Sequence, residues 1–163
     1  VLNCMIDIVC FEGEKFNLGF SKIYYYKDFN LVIGGNDLKN RKAVSDKKID
    51  ILLDPERLNQ VLCKLAHENQ VAIGFNFNDI LNAKEKFTLI AKIQKNIRLC
   101  RKYKVKMVLA SFAKDKYEMR NAKDLLSLAI VLGMTWKESK EALNFKKKDL
   151  REIKIVKWGG LYF

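Results

Sequence analysis

Apolar residues recur along the chain in short continuous runs, separated by longer segments with helical spacing. Runs of this length, bounded by polar turns, predict strands that are buried on both faces. They lie at positions 5–10, 22–26, 31–33, 49–53, 71–75 and 105–110. Strands that alternate with helices in this way predict an α/β fold, either a parallel sheet or an incomplete (β/α) barrel.

The segments between the later strands carry helix signals. Positions 84–103 predict a long helix whose apolar side consists of Phe87, Ile90, Ile93, Ile97 and Cys100. Asp54-Pro55-Glu56 predicts a helix start, with the aspartate as N-cap and the proline at the first helical position. Asn121 and Thr135 predict the N-caps of two further helices, and Gly133 predicts a left-handed C-cap between them.

A double glycine stands after the third predicted strand, in the segment Gly34-Gly35-Asn36-Asp37. It predicts a strand-to-helix turn that needs positive φ. The segment lacks both the spacing and the Lys-Ser/Thr pair of a P-loop, so it is only a weak candidate for a phosphate-binding loop. The basic segment 40–44 that follows predicts a short helix.

Length and composition predict one ordered domain over residues 1–163. The chain has 163 residues, of which 49% are apolar, so it can bury a proper core. We expect that core to span 5–143. Residues 144–163 form a basic C-terminal extension, in which the partial alternation at 153–158 predicts a closing strand.

The charge balance is strongly basic. Lys and Arg number 31 against 19 acidic residues, which gives a net charge of +12. An excess of this size favours a polyanionic partner, with nucleic acid as the first candidate and an anionic membrane as the second. A lysine-rich solvated surface is the alternative that needs no partner.

Cysteine and histidine usage argues against metal chemistry. The four cysteines contain no C-x-x-C pair, and His67, at a predicted helix end, is the single histidine, so no ordinary zinc set can be assembled. We expect reduced core cysteines. No run approaches the ~20 apolar residues of a membrane span. Residues 1–7 lack signal-peptide features, so we expect a cytoplasmic protein that does not act at a membrane.

Four segments in order resemble the archaeal and eukaryotic ribonuclease P protein component 3 family. The most telling is a strand that ends in Ala110-Ser111, a loop that ends in Met119-Arg120 and a capped helix after it. The other three are Asn40–Ala43 with Lys48–Leu52, Leu65–Ile73, and Asn76–Leu81. The resemblance implies a TIM-like (β/α) barrel. Because residues 11–28 are shorter than the family's segment there, we expect a barrel that is incomplete near the N-terminus, with six or seven strands.

The resemblance implies a protein subunit of ribonuclease P that is not itself catalytic. The RNA of the holoenzyme would use Mg2+ to remove the 5′ leader of precursor tRNA, and this chain would need no cofactor. Its partners would be the ribonuclease P RNA, a ferredoxin-like subunit (component 2) and other ribonuclease P proteins, with precursor tRNA contacted indirectly. The alternative is a metal-dependent phosphoesterase of the related barrel superfamily. Against it, Asp7 has no histidine beside it, and Asp54, Glu68 and Asp79 are scattered and explained by capping or exposure.

The candidate binding residues are cations, and we identify no catalytic or metal-ligating residue. Four are expected at the rim where the strands end: Arg41, Lys42, Arg120 and Lys123. Three on the long basic helix are secondary candidates: Arg98, Arg101 and Lys102. Arg41 and Arg120 stand at positions that match the family. The alternative for either arginine is an internal brace to Asp50, Asp54 or Asp79.

Overall fold

The computed structural model describes residues 4–147. Six strands are present in this part of the chain: β1 (Ile6–Val9), β2 (Lys22–Tyr25), β3 (Leu31–Ile33), β4 (Ile51–Leu53), β5 (Ala72–Asn76) and β6 (Met107–Ala110). The α-helices are α1 (Asp37–Ser45), α2 (Gln60–Glu68), α3 (Phe77–Asn82), α4 (Lys86–Tyr103), α5 (Ala122–Val131) and α6 (Trp136–Ala142). Short 3₁₀ turns occupy Tyr26–Asp28 and Lys116–Glu118.

All strand pairs are parallel. β3, β4, β5 and β6 form one sheet in that order, and β1 pairs with β2. The two parts join where β1 lies along β6: the Phe112 amide donates to the Ile8 carbonyl at 2.8 Å, and the Cys10 amide donates to the Ala113 carbonyl at 2.7 Å. The strands therefore follow the circuit β2-β1-β6-β5-β4-β3. This confirms the TIM-like fold, with six strands in the part that the structure describes.

The sheet is buried on both faces. Successive side chains point to opposite sides of each strand, and each side packs into its own apolar cluster. Leu52, Ile73 and Leu109 face the helices and belong to the larger core cluster. Ile51 and Val108 face inward and belong to a second cluster in the barrel interior. Phe145 also reaches the interior cluster from beyond α6, where its ring lies 5.8 Å from that of Phe29. The continuous apolar runs of the sequence reflect this double burial.

Most helix caps lie where the sequence predicts them. The Asn121 side chain accepts from the Lys123 amide, Thr135 and Glu138 form a capping box, and Gly133 has a φ of 99°. The predicted helix start at Asp54 is wrong: α2 begins at Gln60, and Asn59 caps it. Asp54 instead has a φ of 48°, and its carboxylate accepts from the Asn76 amide on the neighbouring strand. A hydrogen bond to a residue distant in sequence thus takes the place of the predicted N-cap at Asp54.

The first glycine of the pair, Gly34, is required for packing, whereas we predicted that the turn needs positive φ. Neither Gly34 nor Gly35 is in the left-handed region. A Cβ on Gly34 would lie 2.6 Å from the Pro55 Cα atom, far inside van der Waals contact. The chain therefore needs a glycine where the turn after β3 crosses the segment after β4.

Three further predictions need correction or lie outside the described residues. Phe87 was assigned to the apolar side of the long helix, but it stands in the first turn of α4 and is 92% exposed. Cys4 is exposed and Cys10 half-buried, whereas Cys63 and Cys100 are core residues as expected. The predicted strand at 153–158 lies outside the described part of the chain. None of the helices between residues 4 and 147 combines the length and the apolar character needed to cross a bilayer.

Candidate nucleic-acid interface

The carboxyl ends of the parallel strands meet at one edge of the barrel, the edge at which folds of this kind place function. The connections at this rim follow β1 at 10–21, β2 at 26–30, β3 at 34–36, β4 at 54–59 and β6 at 111–121, and helix α3 follows β5 directly. We call the connection after β6 the β6 loop (residues 111–121). It contains Arg120, the candidate that matches the family.

A buried aspartate anchors the first residue of the β6 loop. The Asp7 carboxylate accepts from the Ser111 amide at 2.7 Å, from the Ser111 hydroxyl at 2.6 Å and from the Ile8 amide at 2.9 Å. Burial raises the pKa of Asp7, and the hydrogen bonds from Ser111 oppose that rise. Because all of these donors are satisfied and its side chain is fully buried, Asp7 holds β1 against β6 and is a structural group.

Asn78 fixes the β6 loop from the other side. It lies at the start of α3, is buried, and its Nδ2 donates to the Ser111 carbonyl at 2.7 Å and to the Glu118 carbonyl at 3.4 Å. One amide side chain thus connects the start of α3 with the first residue of the β6 loop and with its 3₁₀ turn. The sequence analysis missed this role, although Asn78 and Ser111 both follow strand ends that must be adjacent in a parallel sheet.

Internal hydrogen bonds shape the middle of the β6 loop. Asp115 Oδ1 accepts from the amides of Tyr117 at 2.8 Å and Glu118 at 3.1 Å, which caps the 3₁₀ turn. Glu118 Oε2 accepts from the Lys114 amide at 2.8 Å. Both acidic side chains of the loop therefore form hydrogen bonds to its own backbone and brace the loop internally.

Arg120 lies near the end of this loop and has no acidic partner among residues 4–147. Its Nη1 donates to the carbonyl oxygens of Met119 at 3.0 Å and Tyr117 at 3.2 Å, and the side chain is half-buried. No carboxylate among residues 4–147 forms an ion pair with it. Lys123 is exposed one turn further along, at the start of α5. Part of the guanidinium is therefore oriented by backbone carbonyls while its charge stays uncompensated by a carboxylate in the described chain.

The carboxylates proposed as braces have other partners. Asp50 accepts from the Asn30 amide at 2.8 Å. Asp54 and Asp79, which the sequence analysis treated as scattered, come together at the rim and share a hydrogen bond between their carboxyl groups. Burial, followed by this hydrogen bond, raises the pKa of Asp54 to about 7. Within the described residues, the internal brace for Arg41 or Arg120 is not observed.

The other predicted cations lie away from the β6 loop. Arg41 and Lys42 are exposed in the second half of α1, so they stand below the rim rather than on it, and β4 and β5 separate their unit from β6. On α4, Arg98 and Lys102 are exposed. Arg101 pairs with Glu138 of α6. The structure thus groups Arg120 with Lys123 and leaves the remaining candidates on two separate helices.

Among residues 4–147, no group of three or more His, Cys, Asp or Glu side chains is arranged to hold a metal ion. The deepest acidic group, Asp7, has its oxygens occupied by hydrogen bonds, and Asp54 and Asp79 form only a pair. The described rim thus carries Arg120 and Lys123 together with the Asp54–Asp79 pair.

The model of one protein family, described as ribonuclease P subunit p30, matches residues 6–151. This match includes every described strand and helix. The chain belongs to the ribonuclease P subunit p30 family.

Curated relatives of this p30-family chain are named ribonuclease P protein component 3. The protein of Methanosarcina acetivorans is 34% identical over 146 residues, which cover 85% of this chain and 61% of that protein. The protein of Methanosarcina mazei is 35% identical over 152 residues, with coverages of 89% and 64%. The chain therefore spans less than two thirds of the length of the curated relatives that it matches.

A solved structure shares the fold of this p30-family chain. It is a chain of an archaeal ribonuclease P determined by cryo-EM with mature tRNA. The TM-score is 0.65 at 29% sequence identity, and the match covers 78% of this chain and 56% of that chain.

Proposed function

We propose that this p30-family chain is a protein subunit of ribonuclease P, which supports the catalytic RNA in removing 5′ leaders from precursor tRNA. The family match over residues 6–151 carries the proposal. The net charge of +12 and the Arg120 guanidinium, which has no carboxylate partner among residues 4–147, agree with an RNA partner. We assign no hydrolytic step to the chain's own side chains.

In this role, surface cations lower the repulsion between RNA phosphates as RNA helices pack, and counterions are released on binding. A-form RNA is recognised largely through its backbone and shape, so base-specific contacts are not needed along the whole interface. Arg120 and Lys123 at the β6 loop are the primary contacts in this proposal, for RNA or for a partner protein. Secondary contacts come from Arg41, Lys42, Arg98 and Lys102. We leave Arg101 out of the interface because Glu138 already holds its guanidinium.

The partners follow from the same proposal. They are the ribonuclease P RNA, the ferredoxin-like component 2 and other ribonuclease P proteins, with precursor tRNA contacted through the assembled particle. The holoenzyme RNA would hold the Mg2+ ions, and this chain would need no cofactor. The free thiols of Cys63 and Cys100 suit a reducing compartment, so we extend the proposal to a cytoplasmic location without a membrane role.

Reconstitution tests the proposal. The chain is mixed with ribonuclease P RNA, component 2 and precursor tRNA, and leader release is followed at Mg2+ concentrations too low for the RNA alone. We expect cleavage that requires this chain. Cleavage that is the same with and without it contradicts the subunit role.

The isolated chain provides the control. Purified free of RNA, it should not hydrolyse phosphoesters with Mg2+, Mn2+ or Zn2+. Its RNA affinity should fall with salt by about 0.7–0.9 log units per log unit of salt for each phosphate contact. Robust metal-dependent hydrolysis by the pure chain favours the phosphoesterase alternative instead.

A further inference from the structure

We propose that the exposed Tyr117 ring of the β6 loop, with the Phe16 ring packed edge-on against it, stacks on an unpaired RNA base next to Arg120. The site consists of Phe16, Lys116 and Tyr117, which we call the aromatic platform. This inference rests on the proposed RNA-binding function and names a site within it for single-stranded RNA.

The two rings come from segments that are distant in sequence. Phe16 lies in the connection after β1 and Tyr117 in the 3₁₀ turn of the β6 loop, and their centroids are 6.3 Å apart with an interplanar angle of 65°. Tyr117 is 75% exposed and Phe16 is 40% exposed. Such a pair in a protein interior would be a packing contact, but these rings lie on the surface and leave the larger part of Tyr117 open.

A cation accompanies the rings. Lys116 Nζ lies 5.3 Å from the Tyr117 centroid and 5.6 Å from the Phe16 centroid. Glu14 approaches the same ammonium at 3.9 Å, but its side chain is 82% exposed, and a long, solvated ion pair of this kind contributes little. Lys116 is therefore available to a phosphate while the exposed part of Tyr117 is available to a base.

The platform is connected directly to Arg120, because the Arg120 Nη1 donates to the Tyr117 carbonyl. It also stands on a loop that Asp7, Asn78 and Asp115 already hold. Binding there orders few additional groups, which favours affinity. An exposed ring with a lysine ammonium beside it, and with an arginine on its own backbone carbonyl, suits single-stranded nucleic acid, which proteins hold by stacking on bases and pairing with phosphates.

The test uses the full chain and two RNA probes: a labelled oligoadenylate, which is unpaired, and a blunt RNA duplex of equal length. Tyr117→Leu keeps an apolar side chain but removes the ring. We expect it to weaken oligoadenylate binding roughly 5- to 150-fold, the range for loss of one stacked base. Duplex affinity and the salt dependence should not change, because no charge is removed.

Two control variants accompany this measurement. Tyr117→Phe retains the ring and should bind oligoadenylate like the wild type. Trp136→Leu removes another exposed ring, 4.9 Å from a lysine ammonium on α6, and should leave both affinities unchanged. An adenine analogue whose fluorescence is quenched by stacking should be quenched by the wild type and by Tyr117→Phe, but not by Tyr117→Leu.

Unchanged oligoadenylate affinity in Tyr117→Leu, or an equal loss on both probes, overturns the platform. The platform is also overturned if the fluorescence of the adenine analogue is still quenched by Tyr117→Leu. Failure of the proposed function has a different readout, which is precursor tRNA cleavage that does not depend on the chain. In one outcome, the wild-type chain supports cleavage and binds the duplex while the Tyr117→Leu variant still binds oligoadenylate normally. That combination of results refutes only the aromatic platform.

Discussion

Arg101 and Glu138 form a bidentate ion pair between helices α4 and α6. Arg101 Nε and Nη2 each lie 2.8 Å from a different oxygen of the Glu138 carboxylate, and Nη2 also donates to the Gly133 carbonyl at 2.7 Å. Glu138 Oε2 in addition accepts from the Thr135 amide, which completes the capping box of α6. The pair thus connects the long basic helix to the end of α5 and the start of α6. Arg101 therefore has an ion-pair partner in the described chain, whereas Arg98 has none.

Arg101→Met should destabilise the folded chain by about 1 kcal/mol, near the upper end for a partly exposed pair. This corresponds to roughly 2–4 °C in Tm for a domain of this size. Arg98→Met, on the same helix but without this ion pair, should change Tm little. Arg101 lowers the pKa of Glu138 from 4.5 to about 2. The folded pKa lies below the unfolded one, so the contribution is present above pH 4.5 and is lost as pH falls toward 2.

The Asp7–Ser111 anchor should contribute more to stability than the surface pair. Asp7→Ala leaves the buried Ser111 and Ile8 amides without their acceptor, and we expect a loss of about 2–4 kcal/mol in the free energy of unfolding. Ser111→Ala removes only the hydroxyl and should cost about 1 kcal/mol. Ser127→Ala, which deletes an exposed hydroxyl on α5, is the matched control. Denaturant titration distinguishes the three, and equal stability of Asp7→Ala and wild type contradicts the anchor.

The Asp54–Asp79 pair should make stability fall as pH rises. The folded state holds the Asp54 proton more tightly than the unfolded chain, because its pKa rises from 3.8 to about 7. The contribution of the Asp54 proton to the free energy of unfolding is therefore fully present below pH 3.8 and is lost between pH 3.8 and about pH 7. Asp54→Asn should abolish this slope and be more stable than wild type at pH 8, since asparagine tolerates the left-handed backbone and keeps an acceptor for Asn76. Glu12→Gln, an exposed control, should retain the slope.

The packing role of Gly34 can be separated from general glycine effects. Gly34→Ala places a Cβ atom against the Pro55 backbone and should cost on the order of 1–3 kcal/mol or more. Gly35→Ala is the matched control because the nearest atom to its Cβ is the flexible end of Lys39, at 3.2 Å. Thermal unfolding of the two variants measures the difference. Equal Tm values would show that the turn can move away from Pro55.

Arg120→Lys should impair the reconstituted ribonuclease P more than it impairs folding. A lysine keeps the charge but cannot fork onto a phosphate or carboxylate while it also contacts the backbone carbonyls. We expect lower holoenzyme activity with a Tm near that of wild type, and a smaller effect from Lys114→Ala in the same loop. A Tm decrease of several degrees with normal activity of the folded fraction would instead make Arg120 a structural brace.

Local patterns along the chain were sufficient to predict the strands, most of the helix caps and the α/β class. Strands buried on both faces leave continuous apolar runs, and caps such as Asn121 and the Thr135–Glu138 box use contacts within one helical turn. The order of these elements, together with the family resemblance, correctly predicted a TIM-like fold. These features are visible in the sequence because the interactions that produce them are periodic or span only a few residues.

The rim depended on contacts that no local pattern encodes. Asp54 looks like a helix cap, but the strand register brings it to Asn76 and Asp79. Phe87 fits a helical stripe, yet it lies in the first turn of α4 and faces solvent. Phe16 and Tyr117 are separated by about a hundred positions and meet only because β1 lies along β6. Strand order and register determine which loop residues become neighbours, and these long-range pairings are set by the packing of the whole barrel.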